Sequence, residues 1–324
     1  MKKLKKRRLN IFKISILISL ILVTILISAG VYIHKLYMNT AKVTIKDDNE
    51  SLSITGGNEQ LGVEHGIKNI LFIGSDEGTV DNNGRSDSMV LITIDKDNKK
   101  IKATSFMRDT LVDIPEVGEH NLNHAYAYGG PELLVKTFNH NFGLDIRDYV
   151  KVDFKNFIKI IDKLGGVEVD IHRNEIKVTN DYIRNINVFA NKTAAEIKTP
   201  GLQNLNGVQA LGYSRNRYTG NDYTRTNRQR IILQAIVDKL TKVGYVDFIK
   251  YANDILQDVT TTLNISEISD IVGWSVFNKV DKLESTYFPK REESKHIVTD
   301  DYHIIVNKEE LKKEVQDYIY RDNK

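Results

Sequence analysis

The chain has 324 residues, no cysteine and 27% charged residues, with a formal net charge of +3. The absence of cysteine excludes disulfides, thiolate metal ligands and thiol nucleophiles, so stability depends on the large core that a chain of this length can bury. Seven cations lie within residues 1–13, and the rest of the chain is acidic, with 39 basic against 43 acidic residues. Nucleic-acid-binding domains normally carry a basic excess, so we predict no nucleic-acid partner.

The N-terminal segment has the charge and hydropathy pattern of a membrane anchor. Six Lys and Arg residues lie among the first eight positions, and a mostly apolar run follows over residues 14–33. A helix needs about 20 apolar residues to cross a bilayer, and its basic flank stays in the cytoplasm. We predict a cytoplasmic tail at 1–13, one span of the cell membrane at 14–33 and an extracellular remainder. Ser28, Ala29 and Gly30 also suit a signal-peptidase site, so cleavage is the alternative.

The remainder alternates strand and helix patterns. Residues 34–66 are polar and are predicted to be an extracellular stalk or a small strand-rich segment, followed by a folded domain over 67–324. Short β-branched runs predict strands at 67–73, 89–94, 101–106, 149–154 and 167–171. Helical spacing predicts helices at 131–141, 156–164 and 222–242, and a capping box of Asn264 and Glu267 predicts the start of another. Residues 172–200 are weakly patterned. The order indicates an α/β class.

Arginine is concentrated in one short segment. Five of the twelve arginines beyond the predicted span lie at positions 215, 217, 225, 228 and 230. Guanidinium groups bind phosphate oxygens in pairs and stay charged, so such a cluster suits a diphosphate better than a single carboxylate. Arg215 and Arg217 are two residues apart, and an extended backbone would direct both side chains to one side. The alternative is a solvated charged face.

The predicted helix at 222–242 carries polar and apolar residues on the same face. Asp222, Arg225 and Gln229 fall at spacings of three and four residues. The same face continues with three apolar residues, Leu233, Ile236 and Leu240. Unpaired buried charges are costly, so the polar residues should meet each other or a ligand. The apolar residues behind them either line a tunnel or belong to the core.

Carboxylates end two of the predicted strands. Asp76 follows the strand at 67–73, and Asp87 precedes the strand at 89–94. Magnesium takes one or two carboxylates together with waters and phosphate oxygens, so the pair predicts a Mg²⁺ site, with an ordinary turn as the alternative. Arg108 ends a third strand at the same predicted edge. His124 and Tyr126 are assigned packing and capping roles.

Several blocks, in this order, resemble the LytR-CpsA-Psr family of Gram-positive cell-envelope proteins. The blocks lie at 69–76, 85–88, 108–110, 123–130, 149–154, 164–167, 205–217 and 222–229. The resemblance implies an α/β/α sandwich that holds a polyprenyl diphosphate-linked glycopolymer, of teichoic acid or capsule type. The glycopolymer phosphate would be transferred to peptidoglycan, at the membrane lipid surface, forming a phosphodiester.

The resemblance also implies roles for individual residues. By this resemblance, Asp76 and Asp87 would bind Mg²⁺. The catalytic residues would be the same two aspartates together with Arg108 and Arg217. Substrate diphosphate contacts carry over to Arg85, Arg108, Lys136, Arg215, Arg217, Asp222, Arg225, Arg228 and Gln229. The general base stays open, since Asp76 and Asp87 are poor bases when they bind a metal.

One departure from the family pattern affects substrate preference more than the reaction. Many relatives have an Arg soon after the first aspartate, where this chain has Glu77 and Gly78.

Two functions are alternatives to the transfer of a glycopolymer to peptidoglycan. A polyprenyl-diphosphate diphosphatase would use the same residues with water as acceptor. A regulator of transcription or autolysis would need a DNA-binding element, and a predicted cytoplasmic tail of 13 residues leaves no room for one.

Overall fold

The computed structural model describes residues 41–42, 45, 48–54, 66–77, 84–217, 222–242, 251, 254–280, 283–299 and 301–321. All of them belong to one compact unit, Ala41–Lys324. The predicted cytoplasmic tail and membrane span lie outside these residues. No helix in the described ranges is long and apolar enough to cross a membrane.

A mixed seven-stranded sheet forms the centre of the described fold. The strands are β1 (Ala41–Lys42), β2 (Ile67–Ser75), β3 (Ser86–Asp95), β4 (Lys100–Phe106), β5 (Leu111–Ile114), β6 (Gly118–Asn121), β7 (Asp148–Asp153), β8 (Val167–Ile171), β9 (Gly201–Leu205), β10 (Thr260–Thr261), β11 (Leu283–Phe288), β12 (Lys295–Val298) and β13 (Tyr302–Ile305). The order in the central sheet is β1-β10-β7-β2-β3-β4-β11, and the other strands form the pairs β5-β6, β8-β9 and β12-β13. In the sheet, β2 pairs antiparallel with β3 and parallel with β7.

Helices cover the sheet. They are α1 (His124–Phe142), α2 (Phe154–Lys163), α3 (Ile176–Ala190), α4 (Gly207–Arg215), α5 (Asp222–Lys242), α6 (Ile265–Asn278) and α7 (Lys308–Tyr320). Successive side chains of a strand point to opposite faces, and β2 shows the result. Leu71 and Ile73 pack in a core with α1 and α7, whereas Ile70 and Phe72 pack in a second cluster with residues of α6. The fold is therefore mixed α/β, with apolar packing on both faces of the sheet.

Most predicted elements are present, with differences in extent. The predicted strand at 149–154 ends at Asp153, whose side chain accepts a hydrogen bond from the Asn156 backbone N–H. This bond caps α2, which begins at Phe154, two residues before the predicted start at 156. Helix α1 starts at His124 instead of Pro131, and Gly129 and Gly130 form a non-helical kink within it. The capping box of Asn264 and Glu267 is confirmed, with bonds of 2.9 and 3.0 Å.

Two stretches without predicted regular structure contribute to the packing. Helix α3 occupies 176–190 of the weakly patterned stretch, and it buries Ile183 and Ile186 together with Thr179 and Asn180. Polar residues on the buried face reduce the apolar periodicity from which helices are predicted. In the predicted stalk, Leu52 and Ile54 are buried in the same core as α1.

Candidate active site

A β-bulge directs Asp87 at the start of β3. Gly74 pairs with Ser88 and Ser75 pairs with Ser86, so Asp87 is the extra residue on its strand. A bulge leaves its extra residue outside the ladder and re-aims the side chain. On the facing strand end, the Asp76 Oδ1 accepts a hydrogen bond of 2.5 Å from the Arg85 backbone N–H. Asp76 thus lies just after β2, and Asp87 is the bulged residue at the start of the neighbouring strand β3.

Arg108 contacts two carboxylates, those of Asp87 and Asp109. Its Nη1 donates to the Asp87 Oδ1 at 2.5 Å, and its Nε lies 3.4 Å from the Asp109 Oδ1. Burial alone would raise the pKa of Asp87, but the guanidinium groups of Arg108, Arg225 and Arg217 together hold it below its ordinary value. Asp87 is therefore a carboxylate anion and a weak base.

A second ion pair lies at the start of α5. The Arg225 Nη2 lies 2.9 Å from the Asp222 Oδ1, and Arg225 is only 3% exposed. Burial lowers the pKa of Arg225, and the nearby cations Arg108 and Arg217 lower it further against the attraction of Asp222. Arg217 completes the group, with its Nη2 3.9 Å from the Asp87 Oδ1. The structure thus brings together three of the predicted arginines and two of the predicted aspartates.

An apolar cavity of about 580 Å³ opens from this group. Along β3 its lining changes from Asp87 and Ser88 to Ile92 and Ile94. Along α5 it changes in the same way, from Arg225 and Gln229 to the apolar residues Ile232, Leu233, Ile236 and Leu240. The apolar residues of the predicted helix face therefore line this cavity. Its lining is polar near the first residues of α5 and β3.

A separate polar cavity of about 460 Å³ adjoins the same group. Its lining residues are Arg85, Arg108, Asp109, Asn121, Asn123, His124, Arg217, Asp222, Asp301 and Tyr302. Arg217 lines both cavities. Each of the two ion pairs also spans them, because Asp87 and Arg225 line the apolar cavity and their partners Arg108 and Asp222 line the polar one. The charged group is thus the boundary between an apolar and a polar chamber.

Some N–H groups of the guanidinium groups at this boundary are not used in hydrogen bonds to described protein atoms. The Nε atoms of Arg108 and Arg225 are buried and have no hydrogen-bond partner among the residues that the structure describes. Buried polar groups are almost always hydrogen-bonded, so such donors require an explanation. An anion with several oxygens, such as a diphosphate, can accept hydrogen bonds from guanidinium donors of this kind.

Two more predicted residues line the apolar cavity beside the boundary. The guanidinium of Arg215 lies 4.7 Å from the centroid of the Phe154 ring, a cation–π contact. The Gln229 Oε1 accepts a hydrogen bond of 3.1 Å from the Ser88 hydroxyl. Arg215 is the last residue of α4, so the extended geometry predicted for this segment was wrong for Arg215, whereas Asn216, which lies between the two arginines, has an extended backbone. Both side chains nevertheless reach the same cavity.

Two predicted residues are placed elsewhere. The Lys136 ammonium lies 2.6 Å from Glu116, whose side chain is 79% exposed, and Lys136 lines neither cavity. Arg228 is 5% exposed, and its Nε donates to Glu175 at 2.8 Å. Its Nη1 donates to the Asn216 carbonyl at 2.7 Å. Direct substrate contacts by Lys136 and Arg228 remain predictions from family resemblance, and the contacts seen for both are to protein groups.

Sequence reasoning missed part of the polar cavity wall. Asp301 and Tyr302 come from the C-terminal region, where the resemblance was least distinctive, and a strand pair brings them to the site. His124, which was assigned a packing or capping role, and the neighbouring Asn123 also line this cavity. The only sequence signal for the latter two is their position within a family block.

Glu77, the departure from the family pattern, is also committed to protein contacts. Its carboxylate accepts a hydrogen bond from the Tyr126 hydroxyl and lies 2.7 Å from the Lys151 ammonium. Burial would raise the pKa of Glu77, but the bonds from Lys151 and Tyr126 bring it below its ordinary value. The Glu77 side chain thus neutralises a lysine of β7 instead of supplying a cation.

The donor chemistry at the two strand ends fits Mg²⁺. Mg²⁺ binds oxygen ligands and is often held by one or two carboxylates plus substrate phosphate. Asp76 and Asp87 provide two carboxylates, and the lowered pKa of Asp87 keeps it ionised. Among the described residues no group of three or more His, Asp or Glu side chains could hold a metal ion. A metal here would need ligands beyond protein carboxylates.

Asp109 is predicted to destabilise the folded chain at neutral pH. Burial raises its pKa, and Asp222 adds to the rise against the attraction of Arg108. A carboxyl whose folded-state pKa is raised contributes stability below its unfolded pKa of about 3.9 and loses it as pH rises through the folded-state value. Asp109→Asn should therefore increase the free energy of unfolding at pH 7 and leave it unchanged below pH about 3. Urea unfolding across this range measures the difference, and a lower stability of the variant at pH 7 would contradict it.

Comparison with known proteins gives one consistent family. The model of the LytR_cpsA_psr family matches residues 27–318. The chain is 38% identical over 193 residues to "Regulatory protein MsrR" of Staphylococcus aureus (strain COL), and this match covers 55% of each protein. The matched segment thus spans about half the length of this relative. The chain is also 30% identical to "Polyisoprenyl-teichoic acid--peptidoglycan teichoic acid transferase TagU" of Bacillus anthracis (strain CDC 684 / NRRL 3495), covering 78% of the chain and 79% of TagU.

Solved structures have the same fold. The structure "TagT bound to LIIa-WTA" superposes with a TM-score of 0.62 at 25% identity, covering 78% of this chain and 91% of TagT. A second TagT structure, which contains octaprenyl pyrophosphate lipid, superposes with a TM-score of 0.59 at 24% identity, covering 78% of this chain and 90% of TagT. The second likeness shows the fold alone.

Proposed function

Since this chain belongs to the LytR-CpsA-Psr family, we propose that it is a membrane-anchored phosphotransferase acting outside the cell. It transfers a glycopolymer phosphate, of teichoic acid or capsule type, from a polyprenyl diphosphate carrier to peptidoglycan. The name of TagU and that of the ligand in the first TagT structure support this substrate class. The proposal includes the α/β/α sandwich and the membrane helix at 14–33 that the sequence predicts.

One observation carries the proposal: the arginine group lies between an apolar and a polar cavity. A polyprenyl diphosphate-linked glycan has a long apolar chain joined to a dianionic diphosphate, and the apolar cavity and the arginine group beside it match these two parts. The head lies against Arg108, Arg217 and Arg225, and the prenyl chain extends along the apolar lining of α5. Phosphoryl transfer depends on positioning and charge neutralisation, which these groups supply.

Asp76 and Asp87 are the residues that would hold Mg²⁺ in this proposal. When bound, the ion neutralises diphosphate oxygens as charge develops on the leaving group. Arg108 has two functions, since it holds Asp87 in place and its remaining N–H groups donate to the diphosphate. Arg217 is 42% exposed at its side chain, so it can adjust to the head group as the substrate enters.

A transfer assay with the full-length chain in detergent tests the proposal. The chain is incubated with Mg²⁺, a synthetic prenyl diphosphate-linked glycan and peptidoglycan oligomers, and the joined phosphodiester is measured by mass spectrometry. We expect product that is lost on addition of EDTA and that falls about 10²–10³-fold in Asp87→Ala and Arg217→Ala. Arg184→Ala is the matched control, because Arg184 is an exposed arginine that pairs with Asp181 and Glu196 on the surface.

The same assay separates the alternatives. Prenyl phosphate released without joined product would replace the transferase with a polyprenyl-diphosphate diphosphatase. No turnover of the donor, with or without peptidoglycan, would contradict both enzymes. It would favour a regulatory role of the kind that the name MsrR describes for that relative.

A further inference from the structure

The polar cavity lies beyond the arginine group that holds the diphosphate, and the rest of its wall suits a further ligand. Three cations, Arg85, Arg108 and Arg217, line it together with three carboxylates, Asp109, Asp222 and Asp301. Two amide side chains, a tyrosine hydroxyl and the imidazole of His124 complete the wall. A wall with charges of both signs and several neutral polar groups suits a polyhydroxylated ligand such as a sugar, which donates and accepts hydrogen bonds throughout.

Two groups of this wall lack hydrogen-bond partners within the described part of the chain. The Oδ1 of Asn123 is buried and unpartnered, and Asn123 is only 2% exposed. The Nδ1 of His124, the next residue, is also buried without a partner. Leaving a buried polar atom unpaired costs about 1–3 kcal/mol, so two adjacent cases point to a ligand that pairs with this part of the wall.

The position of this cavity fits the geometry of the proposed reaction. In phosphoryl transfer the attacking and leaving oxygens lie roughly in line, on opposite sides of the phosphorus. The leaving group is the prenyl phosphate, whose chain occupies the apolar cavity. The attacking hydroxyl must then approach from the other side of the arginine group, which is the polar cavity.

We propose that the polar cavity is the subsite for the sugar acceptor and that His124 takes the proton of its attacking hydroxyl; this inference rests on the proposed function. The acceptor oxygen bonds to the glycopolymer-bearing phosphorus while the bond from that phosphorus to the bridging oxygen breaks. Polyprenyl phosphate leaves with the bonding electron pair, and the hydroxyl proton passes to the imidazole. The Asn123 Oδ1 accepts a hydrogen bond from a second hydroxyl of the sugar and so orients the sugar.

The surroundings of His124 keep its imidazole neutral. Burial lowers the pKa of His124, and the cationic Arg85 lowers it further, while Asp301 opposes them. A neutral imidazole is a proton acceptor at pH 7, which suits a general base. The titratable and charged groups that face it are Arg85, His120, Tyr128, Asp301 and His303.

The carboxylates of the site are less suited to this role. Asp87 is ion-paired, and its pKa lies below its ordinary value. Asp109 has a raised pKa and lines the same cavity, so it is the competing base. Its Oδ1 lies 3.4 Å from the Arg108 Nε, an interaction that strengthens when the carboxylate is charged and opposes its protonation. The test therefore compares His124 with Asp109 directly.

Steady-state kinetics of the full-length chain separate the acceptor from the donor. We expect His124→Gln to lower kcat for transfer about 10²–10⁴-fold at pH 7 and to remove the acid limb of the kcat/KM pH profile. We expect Asn123→Ala to raise the acceptor KM about 10-fold with the donor KM unchanged, the pattern of a lost binding contact. His140→Gln is the matched control, since His140 lies at the other end of α1, lines neither cavity and pairs with the exposed Asp113.

The outcomes distinguish this inference from the proposed function. Wild-type transfer by His124→Gln, or loss of the acid limb in Asp109→Asn alone, would overturn the role of His124. Binding of a peptidoglycan oligomer, measured by calorimetry without donor, tests the subsite separately. Equal binding by wild type and Asn123→Ala would overturn the subsite. If the oligomer binds only when Asn123 is present but the chain forms no product, the subsite is supported and the proposed transfer is contradicted.

Discussion

Arg108→Ala is expected to lower the transfer rate about 10³-fold. Arg108 holds Asp87 at 2.5 Å, contacts Asp109 and keeps an unpaired Nε–H at the boundary between the cavities. The substitution removes a diphosphate donor and also releases the carboxylate that we propose as a Mg²⁺ ligand. Transfer kinetics at saturating donor measure the loss.

A double variant separates charge neutralisation from structural damage. Arg108→Ala alone leaves the largely buried Asp87 with less compensation, which should cost about 1–3 kcal/mol of folding free energy. Arg108→Ala with Asp87→Asn removes the uncompensated charge, so stability should recover while transfer stays low. If the double variant recovers transfer together with stability, Arg108 has no direct part in the reaction.

Arg228→Ala is expected to destabilise the chain by about 3–5 kcal/mol, since removing one partner of a buried pair leaves the other charge uncompensated. The partner is Glu175, and the side chains of the pair are 6% and 7% exposed. Arg228 also donates to the Asn216 carbonyl, and the Asn216 amide donates to Thr179 at 3.1 Å. Chemical denaturation of wild type and variant measures the loss.

The same contacts make Arg228 a positioning residue for the arginine group. Asn216 lies between Arg215 and Arg217, so the hydrogen bond from Arg228 fixes the segment that carries both guanidinium groups. We expect Arg228→Ala to raise the donor KM in the folded fraction. Arg228→Lys should not restore it, because an ammonium lacks the planar fork that reaches Glu175 and Asn216 together. Wild-type stability with lost donor binding would show a direct diphosphate contact instead.

The regular core was predictable because its sequence signals are strong and local. The predicted helix at 222–242 and strand at 167–171 have the bounds that the structure shows. Continuous β-branched runs marked β2, β3 and β4 to within three residues at each end. Helix α3 was missed because Thr179 and Asn180 lie on its buried face. Tertiary hydrogen bonds, which no local pattern shows, satisfy the Asn180 amide at 2.9 Å.

The candidate site was predictable as a set of residue types and only partly as a set of contacts. Family blocks and strand ends brought Asp87, Arg108 and Arg217 together correctly. Sequence could not show that Arg228 is committed to Glu175, because the two lie 53 residues apart and pair only in the folded chain. Asp301 was missed because β12 and β13 carry it to the polar cavity from a region with no distinctive motif.

The most direct test of the central claim locates the donor lipid. A prenyl diphosphate with a photoreactive group in its chain is bound to the full-length protein, irradiated, and the labelled peptides are identified by mass spectrometry. The account predicts labels on the apolar cavity residues of α5, chiefly Leu233, Ile236 and Leu240, and loss of labelling in Arg108→Ala. Labelling confined to residues outside this cavity, or undiminished in Arg108→Ala, would contradict it.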